Sequence, residues 1–200
     1  MSKKIFSLIT LISGNVGLVV ALVLYLLSDT SFRPWTNYIS DLGSGPIGAI
    51  IALGIMEALI GIFVSLLMIL ISKEIQNSFL KNMILCFALI AQISLLTIGI
   101  FPMNPSMPNS YEIHRIIAIV YFGCSAITDF FLAVHEFKTN KLSSITIFLA
   151  GLFSLVFTVG FILQEYGPIP HNMVVYLSEW IYFVFAMTWL SLKIMPLKTK

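Results

Sequence analysis

The sequence predicts an all-α polytopic membrane bundle of six transmembrane helices, N-in and C-in, forming one domain over residues 1–200. Composition is the first reason: 58% of residues are hydrophobic, 10% are charged, and the mean hydropathy is +0.99. A soluble domain carries about 25% charged residues. No soluble fold of this length has interior enough for so much apolar surface, so lipid must be part of the solvent. Continuity is the second reason, because the apolar residues fall in six long runs without the period-2 alternation of barrel strands. The third is that the basic residues gather on alternate connections.

The first run, about 5–27, follows Met1-Ser2-Lys3-Lys4. It is longer than a signal-peptide core and no small-x-small cleavage site follows, so it reads as an uncleaved first span. Ser28-Asp29-Thr30-Ser31 ends it, and Gly45-Pro46 opens the second run, 47–72. The third run, 81–101, is parted from the fourth, 112–134, by the stretch from Pro102 to Pro108. The fifth covers 143–164, and Gly167-Pro168-Ile169-Pro170 leads into the sixth, 172–195. Each run crosses a hydrocarbon core of ~30 Å at 1.5 Å per residue.

Sidedness follows from the positive-inside rule. Lys3, Lys4, Lys73, Lys81, Lys138, Lys141, Lys193, Lys198 and Lys200 lie on one side, and only Arg33 and Arg115 on the other. Loops 73–80 and 135–142 and both termini are therefore expected in the cytoplasm of a multi-pass cell-membrane protein. Loops 28–46, 102–111 and 165–171 are expected outside. An inverted repeat is not indicated, because the Gly-Pro entries precede spans 2 and 6 and Glu57 has no acidic counterpart in span 5. The formal charge of +2 is too small to imply a nucleic-acid partner. Cys86 and Cys124 sit within apolar runs and read as small buried hydrophobes, not as a disulfide or metal pair.

Ionisable groups inside a span cost roughly 2.5–3.5 kcal/mol on insertion scales, so each needs a partner or a purpose. Glu57 lies about 15 Å into span 2, near the midplane, beside a face of Gly54, Ala58, Gly61 and Ser65. Such small residues let a neighbouring helix approach, so Glu57 is expected to point into the bundle. It reads either as a hydrogen-bonded packing residue or as part of a proton or ligand pathway. Span 4 carries a stripe of His114, Ala118, Tyr121, Ser125 and Thr128, and span 6 one of Asn172, Tyr176, Glu179 and Tyr182. Two polar stripes imply one shared interior cavity, provided spans 2, 4 and 6 are neighbours. Arg115 is the expected counter-charge for Glu179 or Asp41, whether as a structural tie or as part of a site. Asp129, His135 and Glu136 are expected at the interface or snorkelling, outside the site. His171 reads as a solvated loop histidine on the side of His114.

Asn37-Tyr38-Ile39-Ser40-Asp41-Leu42-Gly43 precedes span 2, Gly99-Ile100-Phe101-Pro102 ends span 3, and Ile113-His114 opens span 4. With six spans and Glu179, these segments resemble the domain of unknown function 998 family of bacterial and archaeal membrane proteins over nearly the whole chain. The resemblance implies a six-span fold and weight on Ser40, Asp41, His114 and Glu179, and it implies no established activity. In that family an acid commonly follows the Phe-Pro, where this chain has Met103 and Asn104. An arginine commonly follows the span 6 glutamate, where this chain has Trp180, so His114 or Arg115 is expected to neutralise Glu179 here. On physical grounds Ser40 or Asp41 can cap a short helix or turn, and Gly43 can take φ > 0. Asp41 is either a structural cap or a group held over the bundle mouth, facing His114.

Three functions of different class remain. The first is binding or handling of a lipid or other amphiphile, through Ser40, Asp41, Glu57, His114, Arg115, Tyr121, Tyr176 and Glu179. The second is a metal-assisted lipid hydrolase using Asp41, His114, His171 and Glu179, against which no His-x-x-x-His spacing exists. The third is a transporter or proton pathway through Glu57. The first is preferred, and no catalytic residue, cofactor, metal or oligomeric state is assigned.

Overall fold

The computed structural model describes residues 2–103 and 108–195. Asn104, Lys198 and Lys200, used above, lie outside the described residues. Six helices form: α1 Lys3–Leu26, α2 Ile47–Ser72, α3 Ser78–Ile100, α4 Pro108–Glu136, α5 Lys141–Glu165 and α6 Met173–Ile194. No strand occurs among the described residues. All six are long and apolar enough to cross a membrane. The shortest, α6, has 22 residues and spans about 33 Å.

The starts are set by short polar residues. Asn77, Asn140 and Asn172 each accept a hydrogen bond from a backbone N–H in the first turn of α3, α5 and α6. Helix α2 starts after an extended Pro46. Asn172 therefore caps α6 and is not part of its stripe.

The bundle is a ring, in which each helix packs on the next and α6 closes on α1. Helices α2, α4 and α6 are thus alternate members and not neighbours, and they meet only across the centre. Along α1 the large apolar residues Ile5, Leu8, Ile12, Val16, Val19 and Val23 face outward, while Ser7, Thr10, Gly14 and Ala21 are buried. Small inside and large apolar outside is the pattern of a helix bathed in lipid. Cys86 shares that outward exposure and Cys124 is half-buried, so neither is a buried core residue, and both are free thiols.

The tightest seam joins α2 to α3. A Cβ at Gly54 would stand 2.7 Å from the Gly99 carbonyl oxygen, so the backbones touch there. Glu57, one turn on, is buried and points inward as expected.

At one end of the bundle, hereafter the Glu136 end, buried Glu136 binds Lys193 Nζ and Ser143 Oγ and accepts from Trp189 Nε1 at 3.1 Å. Lys3 pairs with Glu74 at 2.5 Å on the surface. Glu136 and Asp129 are buried and do not snorkel. Glu136 belongs to an ion pair that ties α4, α5 and α6, and Asp129 faces the centre. The other end carries the 28–46 connection and is called the Ser40 end.

Candidate functional site

Residues Ser40–Ser44 form a 3-10 helix that lies across the Ser40 end. Asp41 Oδ2 reaches back to accept from the Tyr38 backbone N–H at 2.9 Å, and Asn37 Nδ2 donates to it at 3.4 Å. This is the i→i−3 reach of a capping-box acid. Burial nevertheless raises the Asp41 carboxyl above its ordinary pKa, as it does the Tyr38 hydroxyl. Gly43 has no positive φ, contrary to expectation. Its small size matters instead, since a Cβ would lie 3.2 Å from the Met103 backbone nitrogen.

Long-range hydrogen bonds pin this segment to α5 and α6. Ile39 N–H donates to Glu179 Oε2 at 2.6 Å, Tyr38 hydroxyl to Gln164 Oε1 at 2.7 Å, and Trp180 Nε1 to the Asn37 carbonyl at 2.9 Å. The Tyr38 ring is buried against Phe157, Phe161 and Tyr176. Trp180 and Met103 thus anchor the segment, and Ser40 Oγ lies 3.6 Å from Met103 Sδ.

Beneath the segment, along the centre of the ring, runs a cavity of about 110 Å³. Along α2 its wall extends from Met56 to Met68, roughly 18 Å at the helical rise. Ile39 and Ser40 close its end. Its polar wall is Glu57 from α2, Gln92 from α3, His114, Tyr121, Ser125, Thr128 and Asp129 from α4, and Glu179 and Tyr182 from α6. The span 4 stripe therefore lines the cavity throughout, and Asp129, four residues beyond Ser125, extends it. The Tyr121 and Tyr182 hydroxyls meet at 3.3 Å.

Four of these buried side chains carry a polar atom without a hydrogen-bond partner among the described residues: Gln92 Oε1, His114 Nε2, Ser125 Oγ and Asp129 Oδ2. His114 Nδ1 lies 2.8 Å from the Phe101 carbonyl oxygen. A carbonyl only accepts, so Nδ1 carries a proton and donates, and Nε2 is left without a partner. Buried polar groups are rarely left unmatched, and the gathering of four in one cavity marks it as the candidate site.

Three expected site residues stand outside this wall. Arg115 is buried but pairs with Glu165 on α5 and with Glu112 at 2.8 Å, between the rings of Tyr111 and Tyr166. It is not the counter-charge of Glu179 or Asp41, because α5, and not α6, is the neighbour of α4. Neither Arg115 nor His114 neutralises Glu179, whose polar contact is the Ile39 N–H. Asp41 is held by its own turn and does not line the cavity with His114. Tyr176 packs on Tyr38 and lies 6.3 Å, ring to ring, from His171. His171 faces Glu165 at 3.9 Å instead of joining His114. Among the described residues no three acidic, histidine or cysteine side chains converge on a metal position.

The sequence reading passed over Gln92 and placed Asp129 outside the site, whereas both line the cavity. Gln92 is a carboxamide in the middle of an apolar run, which is itself a signal. Asp129 was hidden by its nearness to the helix end, although its i+4 spacing from Ser125 places it on the stripe.

Comparison with known proteins adds the family. The family described as "protein of unknown function (DUF998)" matches residues 11–193, and the chain belongs to it. No curated protein and no solved structure matches the chain.

Proposed function

We propose that this chain is a membrane-embedded binding protein that takes a small amphiphile into the central cavity. The observation that carries the reading is the set of unpartnered polar atoms on Gln92, His114, Ser125 and Asp129 inside a wall that is mostly apolar. Such atoms call for a polar occupant, and the apolar wall calls for a hydrocarbon part. Size narrows the class. Sites for drug-sized ligands run to roughly 300–1,000 Å³. A cavity of about 110 Å³ favours a short amphiphile, or one end of a longer one, over a whole two-chain lipid.

Glu57, His114, Tyr121 and Glu179 carry the contact in this reading, with Ser40 at the cap. Asp41, Arg115 and Tyr176 act behind them by fixing the cap and the helix ends. The positive-inside rule supports an orientation in the cell membrane with the Ser40 end outside and both termini cytoplasmic. The metal-assisted hydrolase is disfavoured by the separation of His171 from His114. No catalytic step is assigned.

The test is extraction of the purified protein with organic solvent and mass spectrometry of what is released. A short amphiphile recovered at near one per chain supports the reading. An extract identical to that of an unrelated six-span protein in the same detergent contradicts it.

A further inference from the structure

We propose that the inner half of the cavity is a binding site for a single alkali-metal cation, with Asp129 as its counter-charge. This site goes beyond the amphiphile reading, whose contacts Glu57, His114, Tyr121 and Glu179 lie on the cap side of it. The unpartnered atoms divide by depth. His114 is held by the Phe101 carbonyl at the Ser40 end. Glu57 stands near that level, since a Cβ at Gly99 would lie 3.4 Å from Glu57 Oε2. Asp129 is fifteen residues beyond His114 on α4, about 22 Å at the helical rise. Ser125 precedes it by one turn on the same face. Gln92 is nine residues back from Phe101 on α3, and Ser125 is eleven residues on from His114. Those steps are about 13.5 and 16.5 Å from one shared contact, which puts Gln92 and Ser125 at nearly the same depth. Helical side chains lean toward the N-terminus of their own helix. In the antiparallel pair α3 and α4, Gln92 therefore leans toward the Glu136 end and Asp129 toward the Ser40 end, and the two converge on Ser125.

The chemistry of this group narrows the ligand. Asp129 Oδ2, Ser125 Oγ and Gln92 Oε1 are all buried oxygens without a hydrogen-bond partner among the described residues. The paired hydroxyls of Tyr121 and Tyr182 bound the group on the cap side. An all-oxygen set suits a hard cation. Asp129 is the one carboxyl in this half of the wall, because Glu57 and Glu179 lie toward the cap. Glu136, beyond the cavity, is bound to Lys193, and Arg115 is bound to Glu165. One carboxylate balances one positive charge, whereas a divalent ion would carry an uncompensated charge into a low-dielectric interior. Among the described residues no triad of acidic, histidine or cysteine side chains forms, which also argues against a divalent or transition metal. A protonated Asp129 would remove the charge but leave the Ser125 and Gln92 oxygens unmatched. Helix α5 backs the site closely, since a Cβ at Gly151 would stand 3.0 Å from Asp129 Cβ.

The experiment follows thermal unfolding of the full-length protein in a non-ionic detergent, titrated with lithium, sodium or potassium chloride. Choline chloride replaces each salt to hold ionic strength constant. At least one alkali chloride should raise the Tm in a saturable way that choline chloride does not reproduce. Asp129→Asn, which keeps shape and removes the charge, should lose that rise. Ser125→Ala, which removes one oxygen ligand, should move the half-saturating concentration up about tenfold or more. The wild-type series needs no variant to fold, and Ser125→Ala decides the site if Asp129→Asn does not fold. Identical curves in choline and in all three alkali salts overturn the proposal. So does a rise that survives in Asp129→Asn, or a half-saturating concentration unchanged in Ser125→Ala. An organic extract that holds no amphiphile, beside an intact alkali-dependent rise, fails the amphiphile reading alone.

Discussion

The backbone N–H of Ile39 donates to the carboxylate of Glu179 at 2.6 Å, across 140 residues of chain. This bond joins the 3-10 cap to α6 at the mouth of the cavity, and it gives Glu179 a role in closure. A hydrogen bond to a carboxylate contributes about 1.5–3 kcal/mol. Glu179→Leu should therefore destabilise the protein by about that much and speed amide exchange across residues 37–44. Glu179→Gln keeps an acceptor and should do less. Hydrogen-exchange mass spectrometry checks this, and unchanged exchange at Ile39 in Glu179→Leu would argue against the tie.

Arg115 and Glu165 form the buried pair, and their coupling is measurable. Removing one partner of a buried pair costs roughly 3–5 kcal/mol, because the other charge is left uncompensated. Arg115→Leu alone should be strongly destabilising, and adding Glu165→Leu should recover much of the loss. Combining Arg115→Leu with Glu179→Leu should recover nothing. A double-mutant cycle by chemical denaturation in detergent distinguishes the two, and coupling to position 179 would refute the assigned partner.

Gly54 on the α2–α3 seam and Gly123 on α4, facing α5, should respond oppositely to alanine. Gly54→Ala places a Cβ 2.7 Å from a backbone oxygen of α3, and overpacking of this kind costs about 1–3 kcal/mol. At Gly123 the nearest neighbour of a Cβ is Thr158 Cγ2 at 3.8 Å, an ordinary contact. Gly123→Ala should be neutral or gain up to about 1 kcal/mol from helix propensity. Thermal unfolding of the two variants provides the comparison. Equal effects would mean that the helices are not in backbone contact at Gly54.

Much of this fold was legible because lipid contact leaves long apolar runs. Span 2 matches α2 at 47–72, being bracketed by Gly45-Pro46 and Lys73. Helix α3 begins earlier than its apolar run, at Ser78, because the Asn77 side chain caps a polar first turn. The cavity stripe on α4 was legible as a 3.6-residue period. The partner of Arg115 was not, since it depends on which helix lies beside α4, and a ring order is a property of packing and not of local sequence. The same holds for Glu179, which finds a backbone donor from a distant loop where the sequence suggested a side-chain cation.

Asp41 gives the cap a pH dependence. Burial raises its folded-state pKa above the ordinary 3.8, so the fold favours the protonated form. Its contribution is full below the unfolded pKa and is lost as pH rises through the higher folded value. Wild-type stability relative to Asp41→Asn, which keeps an acceptor for Tyr38 N–H, should therefore fall as pH climbs above the usual carboxylate range. Parallel stability profiles for the two proteins would show that Asp41 is not desolvated.

Orientation is tested by single cysteines at Asn109 and Gln76 in a background lacking Cys86 and Cys124. The proposed orientation requires that an impermeant thiol reagent added outside intact cells label the first and spare the second. The reverse pattern would invert the bundle, and equal labelling would contradict the six-span path.

The central claim is that the cavity, and not the lipid-facing exterior, holds the ligand. Ala118 is buried in the cavity wall, so Ala118→Phe fills the centre without touching the outer surface. Native mass spectrometry of the wild-type protein and this variant, released from the same detergent, compares their adducts directly. The account predicts one small-molecule adduct on the wild type that is missing from Ala118→Phe, with any lipid adducts common to both. An identical adduct pattern on a folded Ala118→Phe variant would contradict it.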